Sequence, residues 1–255
     1  MFKPSTKRIE KLSKIFPDVV EELENIFDSD TNVYIDWQNV IHWQDRLKFH
    51  IHLGRLKQFF DSFTNIKIVK LYTGTLVGNE KSEKSIREFE KLGYKIKTKP
   101  VKLMKMSINT SSIPKNSPVL LDNFIKKCLL SKLNLNTIEF LNERLSDFNK
   151  QGITFIEDKK CNFDVEIGRD MLRDFDNDNL GNFILWSGDS DFVDPINQLV
   201  IDNKKVFLFA TAREVSCELN EIKVPIFDIK KIKEFICWPK ELSQSIKDKV
   251  NDNGV

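Results

Sequence analysis

Two aspartates lie between a short apolar segment and a stretch with helical spacing. Residues 183–186 (Phe-Ile-Leu-Trp) are typical of a fully buried parallel strand. The apolar residues that follow recur as one face of a helix: Phe192, Ile196, Leu199 and Val200. Gly188, Asp189 and Asp191 lie between the two segments. A strand that turns through glycine into a helix places such carboxylates at the carboxyl edge of an open sheet, where α/β proteins hold their sites.

These two carboxylates have a chemical interpretation and a structural one. Asp189 and Asp191 repel each other unless a cation lies between them, and a site built from oxygen ligands suits Mg²⁺ or Mn²⁺. Alternatively, Asp191 or Ser190 caps the following helix and Asp189 is a solvated turn residue. The pair by itself therefore leaves both interpretations open.

Two more aspartates stand where other elements begin or end. Asp36 ends a predicted strand at residues 32–36, and Asp164 lies in the first turn of a predicted helix at residues 163–175. In a doubly wound sheet the ends of the first and fourth strands are neighbours at the topological switch point. Four carboxylates that converge there without His or Cys would form a hard-cation site suited to phosphate chemistry.

The remaining pattern predicts the elements that position these residues. Further strands are expected at 67–73, 94–101, 205–210 and 224–229, and helices at 51–63, 80–92, 136–149 and 213–222, with a last helix closing at about Cys237. Strands that alternate with helices indicate an α/β fold with a mostly parallel, doubly wound sheet.

The pattern of predicted strands and helices also divides the chain into segments. Residues 1–29 are expected to form a helical extension, 30–238 the main domain and 239–255 a polar tail that frays from Ser243 onward. Residues 102–151 interrupt the α/β pattern and are interpreted as an insertion, with an extra edge strand expected at 152–156.

Composition narrows the class of protein without naming a partner. The 255 residues include 40 basic and 38 acidic side chains, so net charge says little about partners. The four cysteines stand far apart without a C-x-x-C pair, which favours reduced thiols over a zinc site or a disulfide framework. No apolar stretch approaches the roughly twenty residues that cross a bilayer. These features predict a soluble, cytoplasmic protein that does not contact a membrane.

Residues 34–39, 160–171 and 187–192 form three motifs, and in this order they resemble the NYN domains, the branch of the PIN-like nucleases that includes the LabA-like proteins. Tyr34-Ile-Asp36-Trp-Gln-Asn39 matches the opening I-D-x-x-N of that family. Residues 160–171 match K-x-x-D-V-x-(x)-x-x-D, although Lys160 precedes Asp164 by four positions instead of three. Residues 187–192 match S-G-D-S-D-F without change. Trp37 and Gln38 depart from the small residues that are common in the family, and the insertion lies outside its minimal pattern.

The resemblance implies a three-layer α/β/α sandwich and cleavage of RNA that depends on Mg²⁺ or Mn²⁺. By position, Asp36, Asp164, Asp189 and Asp191 would be the catalytic and metal-binding residues. Asn39 and Ser187 would support them. RNA, single-stranded or structured, is the expected partner, and a homo-oligomer is left open.

Lysines are concentrated before and within the insertion. Residues 91–132 contain ten lysines and a single acid, Asp122. This density is compatible with a solvated face, but an acidic site that cleaves a polyanion needs basic surface nearby. We therefore predict RNA contacts at Lys97, Lys99, Lys102, Lys105 and Lys160.

Other polar residues receive structural interpretations. Asp170 lies about 240° around the helix from Asp164, which favours a salt bridge or a cap over a place in the site. His42, His50 and His52 could ligate a metal, but no other residue with ligand spacing accompanies them, so a role at a helix start is preferred.

The sequence thus predicts a metal-dependent ribonuclease, an endoribonuclease by the family resemblance, with two alternatives. One is an RNA-binding or regulatory module that keeps the fold without turnover. The other, a haloacid-dehalogenase-like phosphatase, is disfavoured because such enzymes need an acid two residues after the nucleophile, where this chain has Gln38.

Overall fold

The computed structural model describes residues 1–177, 180–211 and 215–250. The strands are β1 (Thr31–Asp36), β2 (Ile66–Thr75), β3 (Lys95–Pro100), β4 (Lys102–Ser107), β5 (Phe155–Lys160), β6 (Asn182–Trp186), β7 (Lys205–Ala210) and β8 (Ile226–Asp228). The α-helices are α1 (Lys7–Ile15), α2 (Pro17–Ile26), α3 (Trp37–Leu47), α4 (Leu53–Phe60), α5 (Glu80–Lys91), α6 (Lys127–Leu130), α7 (Leu135–Lys150), α8 (Asp164–Asn177), α9 (Val193–Ile201), α10 (Cys217–Glu221), α11 (Lys233–Ile236) and α12 (Gln244–Val250).

Within the described residues, six strands form one sheet in the order β3-β2-β1-β6-β7-β8, and all its pairs are parallel. The first strand and the fourth strand of this sheet, β1 and β6, are therefore neighbours, as predicted. The chain proceeds outward from β1 in one direction and from β6 in the other. The gap between these two progressions is the topological switch point of a doubly wound sheet.

Side chains that alternate along the strands fill a separate core on each face of the sheet. One core includes Val33, Ile35 and Trp186 and takes apolar residues from α1 to α4 and from α11. The opposite core includes Tyr34 and Tyr72 together with residues of α8 and α9. Helices on both faces of a parallel sheet confirm the predicted three-layer α/β/α architecture.

The chain divides into two compact units. Residues Met1–Pro100 and Cys161–Val255 form the main unit, and Val101–Lys160 form the inserted unit. In the inserted unit, β4 and β5 pair antiparallel as a two-stranded ribbon. The extra edge strand expected at 152–156 is thus wrong in place and in partner: the strand starts at Phe155 and joins the ribbon, not the main sheet.

Helix α3 was not anticipated, because its apolar residues are interspersed with histidine, glutamine and asparagine. Its buried residues nevertheless recur at helical spacing: Trp37, Val40, Trp43 and Leu47. The predicted helix at 51–63 corresponds to the shorter α4. His52 caps α4, since its ring nitrogen accepts a hydrogen bond from the Arg55 backbone amide at 3.2 Å, as a role at a helix start requires.

The two ends of the chain contribute to the main core. Pro17 begins α2 as predicted, and α1 and α2 bury Leu12 and Leu23. The fraying expected from Ser243 onward is wrong for residues 244–250, since α12 forms and Val250 is buried. Two segments lie outside the described residues: 251–255, and 212–214 at the start of the helix that was predicted at 213–222.

None of the helices described here combines the length and apolar character needed to cross a membrane.

Candidate metal centre

Asp36 and Ser187 each come directly after a residue of one register pair between β1 and β6, at the switch point of the sheet. Ile35 of β1 is in register with Trp186 of β6, so the next residue of each strand emerges at the same edge of the sheet. Asp36 is only 4% exposed and caps α3, because its carboxylate accepts a hydrogen bond from the Asn39 backbone amide at 3.3 Å. The Ser187 hydroxyl is buried and accepts a hydrogen bond from the Asp189 backbone amide at 3.4 Å.

The turn after β6 presents two carboxylates. Asp189 caps a short 3₁₀ segment, Ser190–Phe192, by accepting a hydrogen bond from the Asp191 backbone amide at 3.3 Å. Asp189 thus has the capping role that the structural interpretation gave to Asp191 or Ser190. A capping carboxylate keeps a second oxygen available, so capping and metal binding are compatible at this residue.

Helix α8 brings a third carboxylate to the same place. Asp164 is its first residue, which confirms the predicted first-turn position. Asn162 donates a hydrogen bond to Asp164 Oδ2 at 2.7 Å. One carboxylate oxygen each from Asp164, Asp189 and Asp191 lies within 4.8 Å of the others. Among the described residues, this is the one group of three or more ligand-type side chains that meets this criterion.

This spacing fits one hard divalent cation. Oxygen ligands bind Mg²⁺ at about 2.0–2.1 Å and Ca²⁺ at up to about 2.6 Å, so oxygens on one ion are separated by no more than about 4–5 Å. Asp36 is not a member of the three-carboxylate group. It is close enough to interact electrostatically with two of its members, Asp164 and Asp189.

Burial and the neighbouring carboxylates disfavour ionisation of Asp36 and of Asp164. Burial is the main cause that raises the pKa of Asp36 to about 6, and the charges of Asp164 and Asp189 add to it while the Asn39 amide opposes it. The pKa of Asp164 is also raised, first by burial and then by the charges of Asp189 and Asp191. A cation would relieve both effects, because it favours the ionised form of every carboxylate around it.

The predicted RNA-binding lysines divide between the two units. In the main unit, Lys99 of β3 forms an ion pair with both oxygens of Glu166 at 2.8 Å. Lys97, two residues earlier, lies 3.7 Å from Asp170. Asp170 therefore forms the predicted salt bridge. In the inserted unit, Lys102 and Lys160 are directly opposite each other in the ribbon, and Lys105 lies over the Phe155 ring at 4.6 Å.

A groove of about 970 Å³ extends from the carboxylates between α8 and α9. Asp164 and Asp191 line one part of it, and Arg169, Leu172 and Gln198 line others. The two helices approach closely at Gly168, where a Cβ atom would lie 3.2 Å from Pro195 Cγ. Sequence reasoning did not assign Arg169 to the site. Arg169 lies five residues beyond Asp164, about 140° around α8, so helical spacing gave no signal for it.

Comparison with known proteins bears on this site directly. Residues 130–224 match the NYN domain. The matched stretch contains Asp164, Asp189 and Asp191, whereas Asp36 precedes it. The NYN domains are grouped with the PIN-like nucleases, and this part of the chain is similar to them.

No match is found among curated proteins. The crystal structure of a protein of unknown function from Vibrio parahaemolyticus aligns with a TM-score of 0.48 at 16% identity, and the alignment covers 81% of this chain and 94% of that chain.

Proposed function

We propose that this protein is a divalent-metal-dependent endoribonuclease of the LabA-like branch of the NYN domains. Asp36, Asp164, Asp189 and Asp191 are the proposed catalytic, metal-binding carboxylates for Mg²⁺ or Mn²⁺. The observation that carries the proposal is the convergence of three carboxylate oxygens within 4.8 Å, at the switch point of the sheet, inside the residues that match the NYN domain.

The protein's own residues have separable roles in this proposal. Asp164 and Asp191 offer oxygens at the groove, Asp189 adds a third oxygen within 4.8 Å of theirs, and the buried Asp36 adds negative charge nearby. Asn39 and Ser187 hold Asp36 and Asp189 in place through hydrogen bonds that involve backbone amides. A bound Mg²⁺ or Mn²⁺ would supply Lewis acidity, lowering the pKa of a coordinated water and neutralising phosphate charge.

RNA is the proposed substrate because a carboxylate site alone repels phosphates. The basic residues Lys97, Lys99, Lys102, Lys105 and Lys160 are proposed to offset that repulsion. The groove between α8 and α9 offers a path for a single strand next to the carboxylates.

The test is cleavage of a pool of diverse single-stranded RNAs by the purified protein, with Mn²⁺ and with chelator. Asp36→Asn, Asp164→Asn and Asp189→Asn should each lower the cleavage rate by about 100-fold or more while RNA binding persists. A double variant should be little worse than a single one, since the residues serve one step. Asp202→Asn, at the far end of α9, is the matched control and should cleave normally.

A protein that binds RNA without cleaving it would fit the non-catalytic alternative. If the wild-type protein cleaves none of these RNAs faster than Asp189→Asn does, yet binds them, the protein is an RNA-binding or regulatory module. Activity that persists in chelator would instead contradict the metal site.

A further inference from the structure

Helix α8 carries two acidic residues on the face that it buries. Ile167 and Met171 on this face are fully buried in the core against β1 and β2. Asp170 and Asp174 lie on the same face at helical spacing, and Asp170 is 4% exposed. A buried helix face normally carries apolar residues, and a buried carboxylate is unfavourable unless it is paired and hydrogen-bonded.

Asp174 is held by three groups from the sheet. Its carboxylate accepts hydrogen bonds from Asn32 Nδ2 at 2.9 Å, from the Tyr34 hydroxyl and from Lys70 Nζ at 2.7 Å. Lys70 is 3% exposed, and Asn32 and Tyr34 are fully buried. Tyr34 of β1 and Lys70 of β2 are in register with each other, so the three donors come from one place on the sheet.

Asp170 is held one turn closer to the metal centre. Its Oδ2 accepts a hydrogen bond from the Tyr72 hydroxyl at 2.9 Å. Tyr72 of β2 is the register partner of Asp36. Burial, together with the neighbouring aspartates, raises the pKa of the Tyr34 and Tyr72 hydroxyls well above their ordinary value, so both remain protonated donors.

We propose that Asp170 and Asp174 are positioning residues that set the register of α8 on the sheet and so place Asp164 beside Asp189 and Asp191. This inference rests on the proposed metal-dependent function. Apolar contacts such as those of Ile167 and Met171 are not directional and tolerate sliding, whereas hydrogen bonds require a defined geometry. A slip of one residue moves a helix by about 1.5 Å and turns it by about 100°, which would direct Asp164 away from the other two carboxylates.

The proposal differs from mere stabilisation in what it predicts for the folded protein. Replacing a buried ion pair with groups of similar volume often leaves stability nearly unchanged. Lys70→Met combined with Asp174→Leu therefore keeps the packing while removing the ion pair and the hydrogen bonds that attach α8 to β1 and β2. Tyr72→Phe removes the hydroxyl that donates a hydrogen bond to Asp170. These two changes are called the anchor variants, because each removes contacts that attach α8 to the sheet.

The experiment measures Mn²⁺ binding by calorimetry at a temperature where every variant is folded. Both anchor variants should bind with a Kd about 10- to 100-fold weaker than wild type, the range found for residues that orient metal ligands. The control is Val206→Ala, which removes two methyl groups from the same core without touching either anchor, and its Kd should stay within about twofold of wild type. An unchanged Kd in the anchor variants would overturn the proposal.

Hydrogen exchange separates this inference from the proposed function. If wild-type protein binds no Mn²⁺, the metal site fails, and the register of α8 is then decided in the metal-free protein. The Ile167 amide, which donates to the Phe163 carbonyl at 2.8 Å in the first turn, should exchange faster in the anchor variants than in Val206→Ala. Equal exchange rates would show that the anchors do not hold the start of α8.

Discussion

Asp36 is the most buried of the four aspartates proposed for the candidate centre. It is almost fully buried, and its raised pKa of about 6 means that folding favours its protonated form over the ionised form. Because the folded-state pKa exceeds the ordinary value of 3.8, ionised Asp36 destabilises the metal-free fold above about pH 6. That destabilisation is relieved as the pH falls through 6 and is absent below about pH 3.8. The shift corresponds to about 3 kcal/mol at most.

We therefore expect Asp36→Asn to stabilise the metal-free protein at pH 7.5, seen as a higher melting temperature, and to stabilise it about half as much at pH 5. Asparagine caps a helix about as well as aspartate, so α3 should be retained. Thermal unfolding of wild type and variant across this pH range, in chelator, measures the difference. A stability difference that does not change with pH would show that Asp36 titrates normally.

At the scale of elements, the lysines predicted to contact RNA include two on β3 in the main unit and two on β4 in the inserted unit. β3 in the main unit carries Lys97 and Lys99, which are ion-paired with acids of α8. β4 in the inserted unit carries Lys102 and Lys105, both exposed. A lysine that already pairs with an acid has to exchange that partner for a phosphate, so the β4 lysines are expected to contribute more to RNA binding.

Replacing Lys102 and Lys105 with Gln should weaken binding of single-stranded RNA and flatten its salt dependence. Each phosphate contact contributes about 0.7 to the slope of log affinity against log salt, so the pair should change the slope by about 1.4. Lys97→Gln with Lys99→Gln should change it less. Lys7→Gln with Lys14→Gln, on α1, serves as the control of equal charge. If all three pairs leave the slope unaltered, the lysines of β3 and β4 are a solvated surface.

At the scale of the whole molecule, the candidate centre combines residues from both halves of the sheet, the half that leads outward from β1 and the half that leads outward from β6. Asp36 ends β1, Asp189 follows β6, and Asp164 begins the helix that packs over β1 and β2. An ion bound by these residues would exist in the folded state alone, so it would stabilise the fold as a whole. Binding at 100 times Kd adds about 2.7 kcal/mol to the free energy of unfolding.

Saturating Mn²⁺ should therefore raise the melting temperature of the wild-type protein by about 5–10 °C. Asp189→Asn should abolish that increase while leaving or raising the stability of the metal-free protein, since one repelling charge is removed. Scanning calorimetry with and without Mn²⁺ measures both effects. An equal increase in the variant would mean that Mn²⁺ binds elsewhere.

The sequence by itself determined which segments form parallel strands, that the first and fourth of them are neighbours, and where Asp36, Asp164 and Asp189 stand relative to these strands and the helix that follows. Apolar segments, glycine turns and helical spacing are local patterns, and they identified β7 at Lys205–Ala210 without error. The family motifs added the expectation of a shared site. These features could be predicted because each depends on residues that are close together in the chain.

Only the tertiary structure decided which polar residues are buried and what they contact. Asp174 and Lys70 are 104 positions apart, and no local pattern relates a lysine in a strand to an aspartate in a later helix. The same holds for the ribbon of β4 and β5, whose strands are brought together by the fold of the inserted unit. Burial makes pairing obligatory for such groups, and burial is a property of the packed molecule.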